Sequence, residues 1–192
     1  MSKISEPLFE AEHICLAPID HEKDAEIESR WTHDSEYLHL LSSEPVIPLS
    51  VARIKKRYEA IEKEMEEEKN QFYFTIRMRS DERLIGFARL YWIAWSNGTG
   101  AVQIGIGDAA DRLHGYGSEA LRLLLRFAFD ELNLYRLTAF IAAYNSVALH
   151  VFTKAGFVKE VCRRQAINRD GQRWDLLHLG ILREDWEQAG QA

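Results

Sequence analysis

The sequence predicts an α/β (α+β) chain: a mixed, mostly antiparallel central sheet with helices on both faces. Three observations predict it. Alternating stretches at Gln71 to Met78, Leu84 to Trp95 and Ala101 to Gly107 are divided by Ser80-Asp81-Glu82 and by Asn97-Gly98, the turn chemistry of an antiparallel meander. From Gly117 the pattern changes to helix, strand, helix, strand, strand, and such a run needs a crossover connection. The first of these helices shows water only a narrow stripe of Glu119, Arg122, Arg126 and Asp130, with Asn133 beyond, so it must pack against a sheet.

The elements follow in order. His13 to Ile19 alternates as a first strand, broken at Pro18, and Asp20 is placed to cap a helix running to Trp31. Pro45 and Pro48 mark a loop. Residues 50–70 read as a helix with Ser50 as N-cap and with Ile54, Tyr58, Ile61 and Met65 at helical spacing; the charged run Glu62 to Lys69 is its solvated face. After the meander come helix Gly117 to Leu132, strand Arg136 to Ala142, helix Ser146 to Lys154, strand Phe157 to Ile167, a turn at Asp170-Gly171, and strand Arg173 to Leu182. The order is β-α-α-β-β-β-α-β-α-β-β.

With 192 residues and no repeat or linker-like segment, the chain is expected to form one domain over 1–192, its core spanning about 10–187. A net charge of −6 argues against general nucleic-acid binding; an acidic surface either favours cationic substrates or serves solubility alone. No stretch approaches the roughly 18 apolar residues of a membrane span, and the N-terminal residues lack a signal-peptide core, so no membrane partner and a cytoplasmic location are expected. The two cysteines, Cys15 and Cys162, stand in no metal-like spacing, so no metal is expected.

Residues 103–132 carry the chemistry. A strand ends near Gly107, and Arg112-Leu113-His114-Gly115-Tyr116-Gly117 opens into the packed helix. A fixed helix N-terminus offers unpaired amides and the positive end of the helix dipole, which is an anion site. Gly115 and Gly117 let the backbone approach a ligand, and Arg112 adds a guanidinium able to reach a phosphate. The reading is a pyrophosphate cradle; neither the P-loop nor the G-x-G-x-x-G fingerprint fits. Gly105 and Gly107 within a strand signal a bulge or the close approach of another chain or ligand, and a bulge would splay two strands and open a slot. Asn145 caps the second helix or bonds a ligand lying in that slot, and Gly156 closes the helix.

At these residues the sequence resembles the GNAT acetyltransferases, in particular the ribosomal-protein N-terminal acetyltransferase branch. The matching pieces are Arg112-x-x-Gly115-x-Gly117 with Ser118-Glu119-Ala120-Leu121, Leu132-Asn133-Leu134-Tyr135-Arg136, Asn145-x-x-Ala148, Lys154-Ala155-Gly156-Phe157 and Arg183-Glu184-Asp185-Trp186. The resemblance implies acetyl-CoA, or another short acyl-CoA, as donor. It also implies direct transfer to an amine acceptor, either a protein N-terminus or a small molecule, and a dimer is common in the family. It places pantetheine along the backbone of Gly105, Ile106 and Gly107, and the pyrophosphate in the loop Arg112, Leu113, His114, Gly115, Tyr116, Gly117, Ser118. Asn145 would contact the pantetheine arm and Phe152 would lie near the thioester.

There are departures from the family pattern. Phe152 stands where many members carry a tyrosine as general acid, and Gln103 stands near a frequent glutamate. The general acid and base are therefore unassigned: Tyr144 faces either the slot or the core, His150 and His114 read as helix and loop surface residues, and Cys162 as an ordinary strand residue. By the same resemblance the acceptor pocket would draw on Trp31, His33, Asp34 and Tyr37, faced by Trp92 and Trp95; the alternative for these is core or rim packing. Two other functions stay open: a non-catalytic acyl-CoA-binding module, and a nucleotide-phosphate binder using the same helix tip.

Overall fold

The computed structural model describes residues 7–189, so residues 1–6 and 190–192 of the expected single domain, with the N-terminal end read above, lie outside the described residues. Seven strands form one sheet in the order β1-β2-β3-β4-β5-β7-β6. They are β1 (Ile14–Ala17), β2 (Phe72–Met78), β3 (Leu84–Ala94), β4 (Thr99–Ile106), β5 (Arg136–Ala142), β6 (Val158–Arg169) and β7 (Gln172–Leu182). Every pairing is antiparallel except β4 with β5, which is parallel and is bridged by the expected helical crossover.

The helices are α1 (Asp24–Trp31), α2 (Ser35–Leu41), α3 (Val51–Glu67), α4 (Tyr116–Arg126), α5 (Ser146–Lys154) and α6 (Arg183–Ala189). Two of them, α2 and α6, exceed the sequence expectation. Asp34 starts α2: its backbone is extended and its carboxylate accepts the Glu36 amide at 2.9 Å, an N-cap in a segment too short to show periodicity. The helix expected at Asp20 begins later. Asp20 Oδ1 accepts the amides of Glu22 and Lys23, both at 3.1 Å, and so caps a turn that leads into α1. Ser50 caps α3 as expected.

Each face of the sheet carries its own core. On one side α4 buries Ala120, Leu121, Leu124 and Leu125, and α5 adds Phe152, against Ile76, Ile85, Val102, Leu137, Ile141 and Leu179. On the other, Trp31 and Tyr37 pack with Tyr73, Leu84 and Phe87, while Ala25, Ile54 and Tyr58 join α1 to α3. Two buried carboxylates fix α1. Arg77 donates to both oxygens of Asp24 at 2.7 Å, and Arg57 and Tyr58 both donate to Glu28. Buried charge is tolerated only when paired in this way.

The expected helix to Leu132 winds as an α-helix only to Arg126 and closes as a π-turn over Phe127–Glu131. Arg183 of α6 holds that end, donating to Phe129 O within the turn and, beyond it, to Leu134 O at 3.1 Å and to Asn133 Oδ1 at 2.9 Å. Trp186 packs its ring 5.3 Å from Phe129. Among the described residues no helix is long and apolar enough to cross a membrane.

Candidate active site

The site begins where two parallel strands part. β4 and β5 pair only from Thr99 to Ala101 against Arg136 to Thr138. Beyond that point β4 bonds β3 alone and β5 bonds β7 alone, leaving a wedge between them. The expected splay is present, but its expected cause is corrected: the β3–β4 register runs unbroken through Gly105, and the bulge falls between Tyr91 and Ala94, where Trp92 has φ 53°. The glycines answer to the chain's own side chains. A β-carbon on Gly105 would lie 2.6 Å from Phe87 and 2.8 Å from Leu41, and one on Gly107 would lie 2.0 Å from the Trp31 indole.

A cavity of about 730 Å³ opens on this wedge. Ile104, Gly105 and Ile106 of β4 form one wall, the tip of α4 another, and α5 a third through Asn145, Ala148, Val151 and Phe152. At the tip, Gly115 has φ 89° and no side chain caps the helix. Ser118 and Glu119 donate their amides to Gly115 O at 2.9 and 3.0 Å, whereas those of Tyr116 and Gly117 find no protein acceptor among the described residues. A β-carbon on Gly115 would meet nothing within 4 Å, and one on Gly117 only Ile106 Cγ1 at 3.9 Å. The first turn therefore presents bare backbone to the cavity. Leu113, with φ 67°, is largely exposed, and the His114 ring accompanies that of Tyr116 at 5.8 Å.

Arg112 also lines the cavity, with its guanidinium already engaged by protein groups. Its guanidinium donates to Asp34 Oδ2 at 2.8 Å, to Glu36 Oε2 at 2.9 Å and to Gly107 O at 2.6 Å, so the pre-cradle loop is clasped to the start of α2. Burial alone would raise the Asp34 carboxyl, but Arg112 and the amides of Tyr37 and Glu36 outweigh it and hold it below the usual carboxylate range. Asp34 is thus engaged as helix cap and ion-pair partner, not free to attract a cationic amine.

The far end of α2 is held just as firmly. Tyr144 Oη donates to His39 O at 2.6 Å, Asn145 Nδ2 to Leu40 O at 3.2 Å, Gln103 Nε2 to Leu41 O at 2.8 Å, and Arg169 to Ser42 O at 3.1 Å. These side chains occupy the orphan carbonyls of a helix C-terminus. Asn145 Oδ1 also accepts the Ala148 amide at 3.0 Å, so the residue is a helix cap with its remaining donor given to α2. α2 consequently straps across the wedge from β4 to α5. Sequence periodicity missed this strap; the one local signal was Asp34 ahead of Leu38 and Leu41.

The other expected site residues divide. Phe152 is buried on the cavity wall with its ring 5.0 Å from Phe157. Tyr37 also lines the cavity; its hydroxyl is buried without a partner among the described residues, and burial pushes the phenol well above the usual tyrosine range. Trp31 is core, packed on Gly107 and 5.9 Å from Tyr37, and does not wall the cavity. Trp92 stands apart on the open face of the sheet beside Phe140. His150, read as a surface residue, is exposed on the cavity rim.

Comparison with known proteins agrees with this architecture. A family profile described as an acetyltransferase (GNAT) domain matches residues 13–158. YjcK of Bacillus subtilis, named as a probable N-acetyltransferase, is 37% identical over 140 residues, covering 71% of this chain and 72% of that protein. YdaF of the same organism, named as a candidate ribosomal N-acetyltransferase, is 32% identical over 73 residues, covering 38% of this chain and 40% of its own. In fold the chain is similar to the spermidine N-acetyltransferase of Vibrio cholerae, solved in complex with CoA and spermine, with a TM-score of 0.78 at 18% identity over 91% of this chain and 98% of that one.

Proposed function

The chain belongs to the GNAT acetyltransferase family, and from that premise we propose that it carries an acetyl group from acetyl-CoA directly to a primary amine, on a protein N-terminus or on a small molecule. The observation that carries this reading is the tip of α4, where the amides of Tyr116 and Gly117 have no protein acceptor among the described residues and Gly115 and Gly117 line the cavity without a β-carbon. Such a tip fits a diphosphate: the donors are unpaired, the helix dipole is favourable, and the backbone is open to close contact. Gly115 to Ser118 would hold the phosphates, and the edge of β4 at Ile104 to Ile106, where Arg112 already donates to Ile106 O at 3.4 Å, would bond the pantetheine amides.

When bound, acetyl-CoA supplies a thioester whose carbonyl carbon is the electrophile. The chain's part is to position and to exclude water. Phe152 and Val151 offer an apolar wall that holds no proton, so departure of the thiolate relies on the modest basicity of a thiol, whose pKa is near 8.5. The attacking nitrogen forms the amide bond as the C–S bond breaks; it yields one proton to solvent and the thiolate takes one up. The strap of α2 and the Arg112 clasp fix the walls between which this happens.

The test is a thiol-release assay with acetyl-CoA and a panel of free-N-terminus peptides, polyamines and aminoglycosides, run beside calorimetry. Tight acetyl-CoA binding with amine-dependent thiol release is expected. Tight binding without release for any amine would instead describe a non-catalytic acyl-CoA-binding module. A larger thermal shift with ATP or GTP than with acetyl-CoA would point to a nucleotide binder.

A further inference from the structure

The helices α1 and α3 cover only the β1–β4 half of their side of the sheet. On the β5–β7 half that same face is open. Its residues are fixed by register: Phe140 pairs with His178, His178 with Val161, and Leu176 with Arg163, so all share one face. Rings continue across it, with Trp92 5.8 Å from Phe140 and Phe140 4.8 Å from His178. Trp174, in register on the same face, lies 5.5 Å from Tyr144, whose hydroxyl bonds the end of α2. The floor thus runs up to the strap that crosses the wedge. Trp92 is 69% exposed and Phe140 37%, an apolar surface that water would ordinarily see covered.

The charges on this floor are one-sided. Arg89, bonded to Gln103 and lying 4.4 Å over the Tyr91 ring, Arg136 and Arg163 all belong to it, and Arg169 reaches in to Ser42 O. Among the described strand residues of this face the one carboxylate is Glu160, and Arg136 pairs with it. Asp175 lies on the opposite face, where it accepts from Cys162. Asp34 and Glu36 are both engaged by Arg112. His178 Nε2 is buried without a hydrogen-bond partner among the described residues. In a chain of net charge −6 this is a local reversal of sign.

We infer that the acceptor is a peptide N-terminus followed by acidic residues, laid across this arginine and aromatic floor, and not a polyamine. The inference rests on the acetyl-transfer reading above. A polyamine needs unpaired carboxylates along its length, and this floor supplies none. An acidic peptide meets arginines, and its apolar side chains meet Trp92 and Phe140.

The experiment compares two heptapeptides with the same N-terminal residue, one carrying Asp and Glu at the following positions and one carrying Lys, together with spermidine, in the thiol-release assay. Binding of each labelled peptide to the CoA-loaded protein is followed by fluorescence anisotropy. The acidic peptide is expected to exceed the other two by about tenfold or more in kcat/KM, with a KM that rises with salt. Arg163→Glu should remove most of that preference, while Arg163→Gln removes roughly fivefold; acetyl-CoA affinity by calorimetry, unchanged in both, controls for folding. Turnover of spermidine or of the lysine peptide at least as fast as of the acidic peptide overturns the inference and leaves acetyl transfer standing. An acidic preference that survives Arg163→Glu overturns this surface as its source. If no amine is acetylated, the acetyl-transfer reading fails, and the anisotropy decides the surface: selective, Arg163-dependent binding of the acidic peptide supports it, and equal binding of both peptides overturns it.

Discussion

Gly107 lies directly beneath the indole of Trp31, so close that a β-carbon on it would stand 2.0 Å from Trp31 Cε2. The residue that follows β4 is therefore a glycine for the sake of packing between α1 and the sheet. Gly107→Ala is expected to destabilise the protein by about 2 kcal/mol through overpacking, visible as a melting temperature lower by several degrees. An unchanged melt would mean that Trp31 is free to swing aside.

Gly117 behaves in the opposite way. Its β-carbon would meet nothing closer than Ile106 Cγ1 at 3.9 Å, and it sits in the first turn of α4. Gly117→Ala should raise the melting temperature slightly, since alanine is favoured over glycine in a helix by up to about 1 kcal/mol. Acetyl-CoA affinity should meanwhile fall, because the methyl group would stand where phosphate oxygens approach. Calorimetry showing unaltered affinity would remove the cradle from the mechanism.

Phe152 packs against Phe157 while lining the cavity. Phe152→Tyr adds a hydroxyl that can protonate the departing thiolate, so steady-state kcat should be kept or raised, by up to about tenfold for one added proton donor. Abolished transfer in a variant that still binds acetyl-CoA would show that the ring does not border the sulfur.

His13 ties the start of β1 to the cradle helix. Its backbone amide donates to Glu119 Oε2 at 3.0 Å, and its ring nitrogen Nδ1 lies 2.7 Å from Glu119 Oε1. The bond to Glu119 raises His13 above its ordinary value of 6.5, against the opposing effect of burial. A raised folded-state value means that folding favours the protonated ring, so this contribution is complete below the ordinary value and is lost as pH rises through the raised one. Thermal melts from pH 6 to pH 9 should show the wild type losing stability relative to His13→Ala as pH increases. Parallel curves would leave the pair without a role.

Much of the fold was legible because its elements announce themselves locally. The meander, the crossover and the long buried helix rest on alternation, turn pairs and a polar stripe, all of which act between near neighbours. The Asp170-Gly171 turn was readable for the same reason, both residues having positive φ. α2 was not, because seven residues give too few turns for a period and its stability comes from partners far along the chain.

For the site, the sequence by itself determined the start of α4: glycine at the N-cap position 115 and again at 117 brings no side chain of its own to cap the amides of the first turn. Only the tertiary structure decided where the neighbouring side chains point. Arg112 meets Asp34 across 78 positions and Asn145 meets Leu40 across 105, pairings that no local spacing encodes. Gly107 and Trp31, likewise, are joined by packing between two elements that sequence treats separately. The physical division is between backbone chemistry, set by adjacent residues, and side-chain partnership, set by which surfaces the folded sheet brings into contact.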